Sequence, residues 1–443
     1  MERKTKIIFI SVFIFVVAML LGIYFYNKSK NTDSTTGDTS FYQKFNPFGT
    51  SNKVPNNGGD TGNTNNGGDT GNTNQTTQNR LHKLTDFAVA GATFLEDTRA
   101  LPVKEKIVLP TTETTPVVDT KTTTKKPAVK IPTIKQEPTT EIVPSLRYVE
   151  KATGHIYQMY LDTKASGKIS NSTIPSVYET IFNNKANSII YRYISPENNS
   201  AITSFIATLG GKSNFLNDNI LEVALSPMKD KFFSLVKNSN GVTGTTKSFD
   251  ETKTSQVFTS AFTEWLPQWV TGESVYMTTK PSYLVDGSVY NLNITNGTLN
   301  KIFGGVRGLT TLSNNDGTNI LYSVSADTGP RLNLFNIKNH TSLDLDKYGL
   351  PEKCVWSSDN INVYCAVPST VVGNQYPDYW YQGLVSFDDF FVKINTVTKS
   401  VSTLANSVEE GSPVDATKLF LSKAEDKLFF INKKDFTLWQ LDL

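Results

Sequence analysis

The chain has 443 residues, a formal charge of +2 at pH 7, three histidines and two cysteines. So balanced a charge leaves no electrostatic footprint for nucleic acid, and none is expected as a partner. His82, His155 and His340 are scattered, which leaves little material for a metal centre, and no cofactor is expected.

Met1–Lys6 carries Arg3, Lys4 and Lys6 and reads as a cytoplasmic stub. Ile7–Tyr26 follows, with only Ser11 and Gly22 interrupting its apolar character. At about 1.5 Å per residue, a helix of this length crosses a hydrocarbon core of ~30 Å. A cleaved signal peptide is the rival reading, but its apolar region is shorter and ends at a small-residue site. Here the run ends GIYFYNKSK, and Tyr24, Phe25 and Tyr26 suit the membrane interface. The expectation is an uncleaved signal anchor, with the membrane as partner. The basic residues before the span place the N-terminus in the cytoplasm and the rest of the chain outside the cell membrane.

Residues 27–79 form a low-complexity tether. NNGGDTGNT occurs at Asn56–Thr64 and again at Asn65–Thr73. It lacks the apolar position of the calcium-binding nonapeptide repeat, and two copies cannot stack into a roll. A flexible linker with a reach of about 40 Å is expected. Leu81–Val108 returns to strand-like runs, and Leu109–Pro144 is a Thr/Pro/Lys-rich insert expected to stay extended and solvated. From Leu146 onward strands dominate; Ser255–Trp265 leaves room for a short helical turn.

Within this region one phrase recurs: a first strand, a polar turn, an aromatic second strand and an alternating third. Units begin near Val177, Ile220, Thr263, Gly308, Glu352 and Asp415, most of them roughly 43 to 45 residues apart. That is the period of a four-stranded propeller blade. A seventh unit is split. Val89–Leu95 serves as its inner strand, and Arg147–Glu150, His155–Asp162 and Gly167–Ser170 supply the others. The last unit, Asp415 to Leu443, has three strands only, and Leu81–Thr85 fits the vacancy, since a ring cannot leave two unpaired edges facing each other. The expected fold is an all-β, seven-bladed propeller of four-stranded antiparallel blades over 80–443, with six or eight blades as alternatives.

The phrases LSPMKDKFFSLVK, CVWSSDNINVYCAV and HIYQMYLDTKASGKIS resemble the TolB-like and WD-repeat-like propellers of bacteria. That family joins its first two strands by an S-P-D-G-K turn, matched only approximately by Ser226–Pro227, and the WD dipeptide and structural His of true WD repeats are absent. The whole chain also resembles membrane-anchored propeller proteins of small-genome candidate-phylum bacteria. The resemblance implies a scaffold rather than an activity.

No G-x-S-x-G, H-E-x-x-H or C-x-x-C spacing occurs, and an enzyme is not expected. Gly304–Gly308 reads as a blade-to-blade turn. Asp388–Asp389 and Glu409–Glu410 are adjacent pairs, which on a strand point to opposite faces, so they read as solvated turn charges. Cys354 and Cys365 flank the Asp359–Asn360 turn symmetrically and face each other across a hairpin. A disulfide is feasible; two buried thiols are the alternative.

The sixth unit carries an insertion between its second and third strands, Pro368–Phe387, with Tyr376, Tyr379, Trp380 and Tyr381 close together. Trp265, Trp269 and Tyr283 are expected on the same rim. Tyr and Trp dominate binding hot spots, so the sharper reading is a ligand-facing patch in which Tyr379 and Trp380 are partly exposed. The plainer one is that these rings cap their own blade. The leading function is a tethered extracytoplasmic module that binds a protein, peptide or glycan. An assembly role in an envelope or secretion complex is the alternative. A hydrolase or lyase in the central channel would require an inward cluster of His, Asp, Glu or Arg.

Overall fold

A computed structural model describes residues 79–101, 140–195, 202–217 and 219–443. The expected span Ile7–Tyr26, the tether up to 78 and the insert up to 139 lie outside these residues. Among the described residues the strands form seven four-stranded antiparallel sheets. In six of them the strand order follows the chain; these are blades 1 to 6. Their inner strands are Val89–Ala100, Val177–Phe182, Ile220–Leu225, Trp265–Trp269, Thr310–Ser313 and Cys354–Trp356. Blade 7 consists of Ala416–Leu421, Lys427–Asn432 and Leu438–Asp442, with Leu81–Lys83 as its outer strand. Leu81 pairs with Leu441 and Lys83 with Trp439, so the two ends of the propeller share one sheet.

The core lies between blades, which explains the composition of the second strands. Such a strand is covered on both faces and reads as a continuous apolar run rather than an alternating one. Ile189, Ile190 and Tyr191 are buried in succession, as are Leu428, Phe429, Phe430 and Ile431. Outer strands such as Ser166–Lys168 and Ser213–Phe215 are exposed throughout. Blades 3 and 4 meet through Phe233, Leu235 and Phe258 against Trp265, Val275 and Met277. Burying each such large side chain stabilises the fold by about 1.5–3 kcal/mol.

The repeated polar turns share one chemistry. Ser226 Oγ donates to Asp230 at 2.7 Å and accepts from the Lys231 amide at 3.1 Å. Ser422 does the same with Asp426 and Lys427. Lys229 and Glu425, inside these turns, adopt positive φ, as the tight reversal demands.

Four expectations change. Gly304–Arg307, read as part of a blade-to-blade turn, belongs to the outer strand of blade 4, Leu299–Arg307, and only Gly308 lies beyond it. Ser255–Trp265 contains no helical turn: Thr254–Ser260 is the outer strand of blade 3, paired with Val242–Lys247. The second strand of blade 1 begins at Thr140, within the stretch expected to be solvated, and pairs Pro144 with Glu96. Asp389 is fully buried rather than a solvated turn charge.

Candidate functional site

Loops joining second to third strands share one face with the blade-to-blade loops. On that face the insertion of blade 6 folds down onto the ring. Its only helix is the single turn Asp378–Tyr381, too short to be stable in isolation and held by what it packs on. Tyr376, Trp380 and Phe387 form a small core with Leu350. Tyr376 is 1% exposed and Trp380 4%. The Tyr376 hydroxyl donates to the Val372 carbonyl at 2.7 Å.

Beneath this core lies a buried charge cluster. Lys353 precedes the inner strand of blade 6, Asp389 opens its third strand, and Asp415 precedes the inner strand of blade 7. All three are fully buried. Lys353 Nζ lies 2.8 Å from Asp389 and 2.5 Å from Asp415, and donates to the Ala416 carbonyl at 2.8 Å. Asp415 accepts from Trp380 Nε1 at 3.0 Å, from the Phe387 amide at 3.1 Å and from Ser386 Oγ at 3.2 Å. Asp389 Oδ2 takes the Ala416 amide at 2.6 Å, while its Oδ1 has no partner among the described residues. Burial pushes the Asp389 carboxyl up to about 6, with Lys353 opposing. The cluster thus ties blade 6, blade 7 and the insertion to one another.

The insertion reaches other blades as well. Asp378 accepts the Tyr283 amide of blade 4 at 2.7 Å, and Ser325 of blade 5 donates to the Asn374 carbonyl at 3.2 Å. Gly308 is required where the insertion crosses blade 5: its φ is positive, and a Cβ there would stand 2.7 Å from the Tyr376 carbonyl. Tyr381 donates to Glu352, whose other oxygen is buried without a partner among the described residues. Loss of water around the Glu352–Tyr381 contact pushes both groups up, although the Tyr381 ring as a whole is part-exposed.

The aromatic residues singled out in the sequence therefore divide. Tyr376 and Trp380 cap the blade, so Trp380 is not the exposed ring expected. Tyr379 is half-buried and Tyr381 is 40% exposed. Tyr283 does reach the insertion. Trp265 and Trp269 do not: both are buried between blades 3 and 4, where Trp265 packs against Phe258, Phe262 and Tyr290. Cys354 and Cys365 are directly opposed and joined by a disulfide. Besides Tyr381, large aliphatic side chains reach solvent here: Val372 (63% exposed) and Leu384 (66%) on the insertion, and Leu284 (69%) and Val285 (58%) on the blade 4 loop it is bonded to. Sequence reading missed these and the Lys353–Asp389–Asp415 cluster. The available signal was charge embedded in aromatic context, as in FDDFF at Phe387–Phe391. Among the described residues no three His, Cys, Asp or Glu side chains converge to hold a metal ion.

No protein-family model matches the chain, and no curated protein does. Solved structures do. TolB from Acinetobacter baumannii aligns at 12% identity over 58% of this chain, which spans 61% of that protein, with a TM-score of 0.40. The oligogalacturonate lyase of Vibrio parahaemolyticus aligns at 11% identity over 67% of this chain and 85% of that one (TM-score 0.46). The propeller domain of the Trilobed protease from Pyrococcus furiosus aligns at 10% identity over 68% and 90% (TM-score 0.46). Likenesses this distant carry no activity across; the propeller rests on the strand order itself.

Proposed function

We infer that the propeller is a binding module for a protein partner, displayed outside the cell membrane on the Ile7–Tyr26 anchor and the 27–79 tether. One observation carries the reading. A loop pinned by buried charge to a closed ring exposes Leu384, beside the bonded blade 4 loop with its exposed Leu284 and Val285. Aliphatic side chains held out on a rigid platform lose little conformational entropy on docking, which favours a protein surface over a glycan. A binding role, rather than turnover, uses the groups present: they hold the loop and present its apolar edge. An assembly role in an envelope complex would use the same surface.

Cross-linking intact cells with a membrane-impermeant reagent tests both halves of the reading. Full-length protein should yield a defined cross-linked protein, and Leu284→Asp with Leu384→Asp should reduce it at least tenfold at equal abundance. Cross-links that form only after lysis would remove the extracytoplasmic placement. Equal capture by the double variant would remove the loop surface.

A further inference from the structure

The Lys353–Asp389–Asp415 cluster places an amine, a carboxyl within its reach and a second carboxyl able to move its protons in one dry compartment. All three side chains are without exposed surface, and the ring centroids of Trp380 and Phe387 stand 5.4 and 5.3 Å from Lys353 Nζ. An ion pair in such a setting carries the cost of taking both charges out of water. Joining the amine to a carboxyl as an amide removes one charge of each sign. The fold already brings the two groups together from positions 62 residues apart, with Nζ 2.5 Å from Asp415 Oδ1. Well-oriented groups held so close react at an effective concentration that reaches on the order of 10⁵ M or more.

Fixed donors surround the second oxygen of Asp415. Oδ2 accepts from the Trp380 indole, the Phe387 amide and the Ser386 hydroxyl, and the indole N–H is shared with Oδ1 at 3.1 Å. Donors so placed stabilise the charge that collects on a carboxyl oxygen when a nucleophile adds to its carbon. Asp389 touches the same amine through Oδ2 at 2.8 Å, and its Oδ1 has no partner among the described residues. An ion pair gives that buried oxygen no role, whereas a proton carrier uses it. Burial raises the Asp389 carboxyl to about 6, which suits it to accept and return a proton near neutrality.

We propose that Lys353 and Asp415 condense into an isopeptide bond inside the folded propeller, with Asp389 as the catalytic base and acid. The ion-paired cluster described above is the folded precursor. Asp389 takes one proton from the ammonium and passes it to Asp415 Oδ1, and the freed amine adds to Asp415 Cγ. Asp389 then takes a second proton from the nitrogen and delivers it to the same oxygen. The Cγ–Oδ1 bond breaks, Oδ1 leaves as water, and Oδ2 becomes the amide carbonyl, still held by its donors. One ammonium and one carboxylate thus give one amide and one water, Asp389 ends as it began, and no co-reactant is consumed. The bond staples blade 6 to blade 7, next to the Cys354–Cys365 disulfide.

Mass spectrometry of the purified full-length protein, reduced and alkylated, tests the linkage. The intact mass should fall one water short of that of the sequence, and proteolysis should yield a branched peptide joining Lys353 to Asp415. Lys353→Met should restore the full mass. Asp389→Asn keeps the reacting pair and should lower the linked fraction in freshly made protein at least tenfold. Asp415→Asn should still link, losing ammonia in place of water. Wild-type protein of full mass, with only linear peptides around Lys353 and Asp415, would overturn the proposal without reliance on any variant. A lost water that maps to another position would overturn it as well, and a linked fraction undiminished by Asp389→Asn would overturn the catalytic role of Asp389.

Discussion

Lys353 is one cation shared by two carboxylates where water does not reach, so the cluster keeps an excess negative charge inside the protein. Asp389 bears most of that cost, because one of its oxygens has no partner among the described residues. Its carboxyl, pushed by burial from 3.8 to about 6, binds a proton more readily in the native state than in the unfolded chain. The sign follows: this group's contribution is fully present below about pH 4 and is lost as pH rises through about 6, amounting to roughly 3 kcal/mol at most. Asp389→Asn removes the titration while keeping an acceptor for Lys353 and the Ala416 amide. Urea midpoints at pH 4.5 and pH 7 should therefore differ between wild type and variant, with the variant losing the gain that acidification brings to the wild type. Parallel pH profiles for the two proteins would show that Asp389 does not titrate in this range.

The insertion gains its shape from its neighbours rather than from its own propensities. A four-residue helix and a stretch of turns persist because Tyr376, Trp380 and Phe387 bury against Leu350 and because Asp415 takes three donors from the loop. The disulfide Cys354–Cys365 steadies the adjoining hairpin; closing so short a loop contributes about 3 kcal/mol at most. Removing the two capping rings should therefore act on stability. Tyr376→Ser and Trp380→Ser should each cost about 3–5 kcal/mol, the range for deleting a large buried aromatic. Tyr381→Ser, at the exposed end, should cost much less. Thermal and urea melts of the three single variants decide the matter, and a melting temperature unmoved by Trp380→Ser would mean that the loop does not pack as described.

At the scale of the molecule, ring closure depends on few residues. Leu81–Lys83 is a three-residue strand, yet it is held from several sides. Glu410 accepts the Arg80 and Leu81 amides at 3.0 Å, and the Arg80 side chain donates to the carbonyls of Asp442 at 2.8 Å and Leu404 at 3.0 Å. Glu410 thus anchors the closing strand, a larger role than that of a solvated turn charge. Leu81 is buried in the core between blades 6 and 7. Leu81→Asp places a charge there and should unzip the seam. Hydrogen exchange should then show lost protection in Leu438–Asp442 while the second strands of blades 3 and 4 keep theirs. Unchanged protection at Leu438–Asp442 would place the closure of the ring elsewhere.

Blade count, the split first blade, the closing strand and the facing cysteines were legible in the sequence, because each follows from local periodicity and from the need to pair every edge. A strand covered on both faces must be apolar, and a tight reversal must be polar, so the repeat announces itself in composition. Which aromatic rings reach solvent was not legible. Trp380 and Tyr381 are adjacent and chemically alike, and their exposure depends on Asp415, far along the chain, accepting the indole N–H of one of them. The same holds for Lys353 and Asp389. A charge or hydroxyl reads as solvated until the ring closes around it, and only the packing of blades that are distant in sequence decides which polar groups are buried and which remain unpaired.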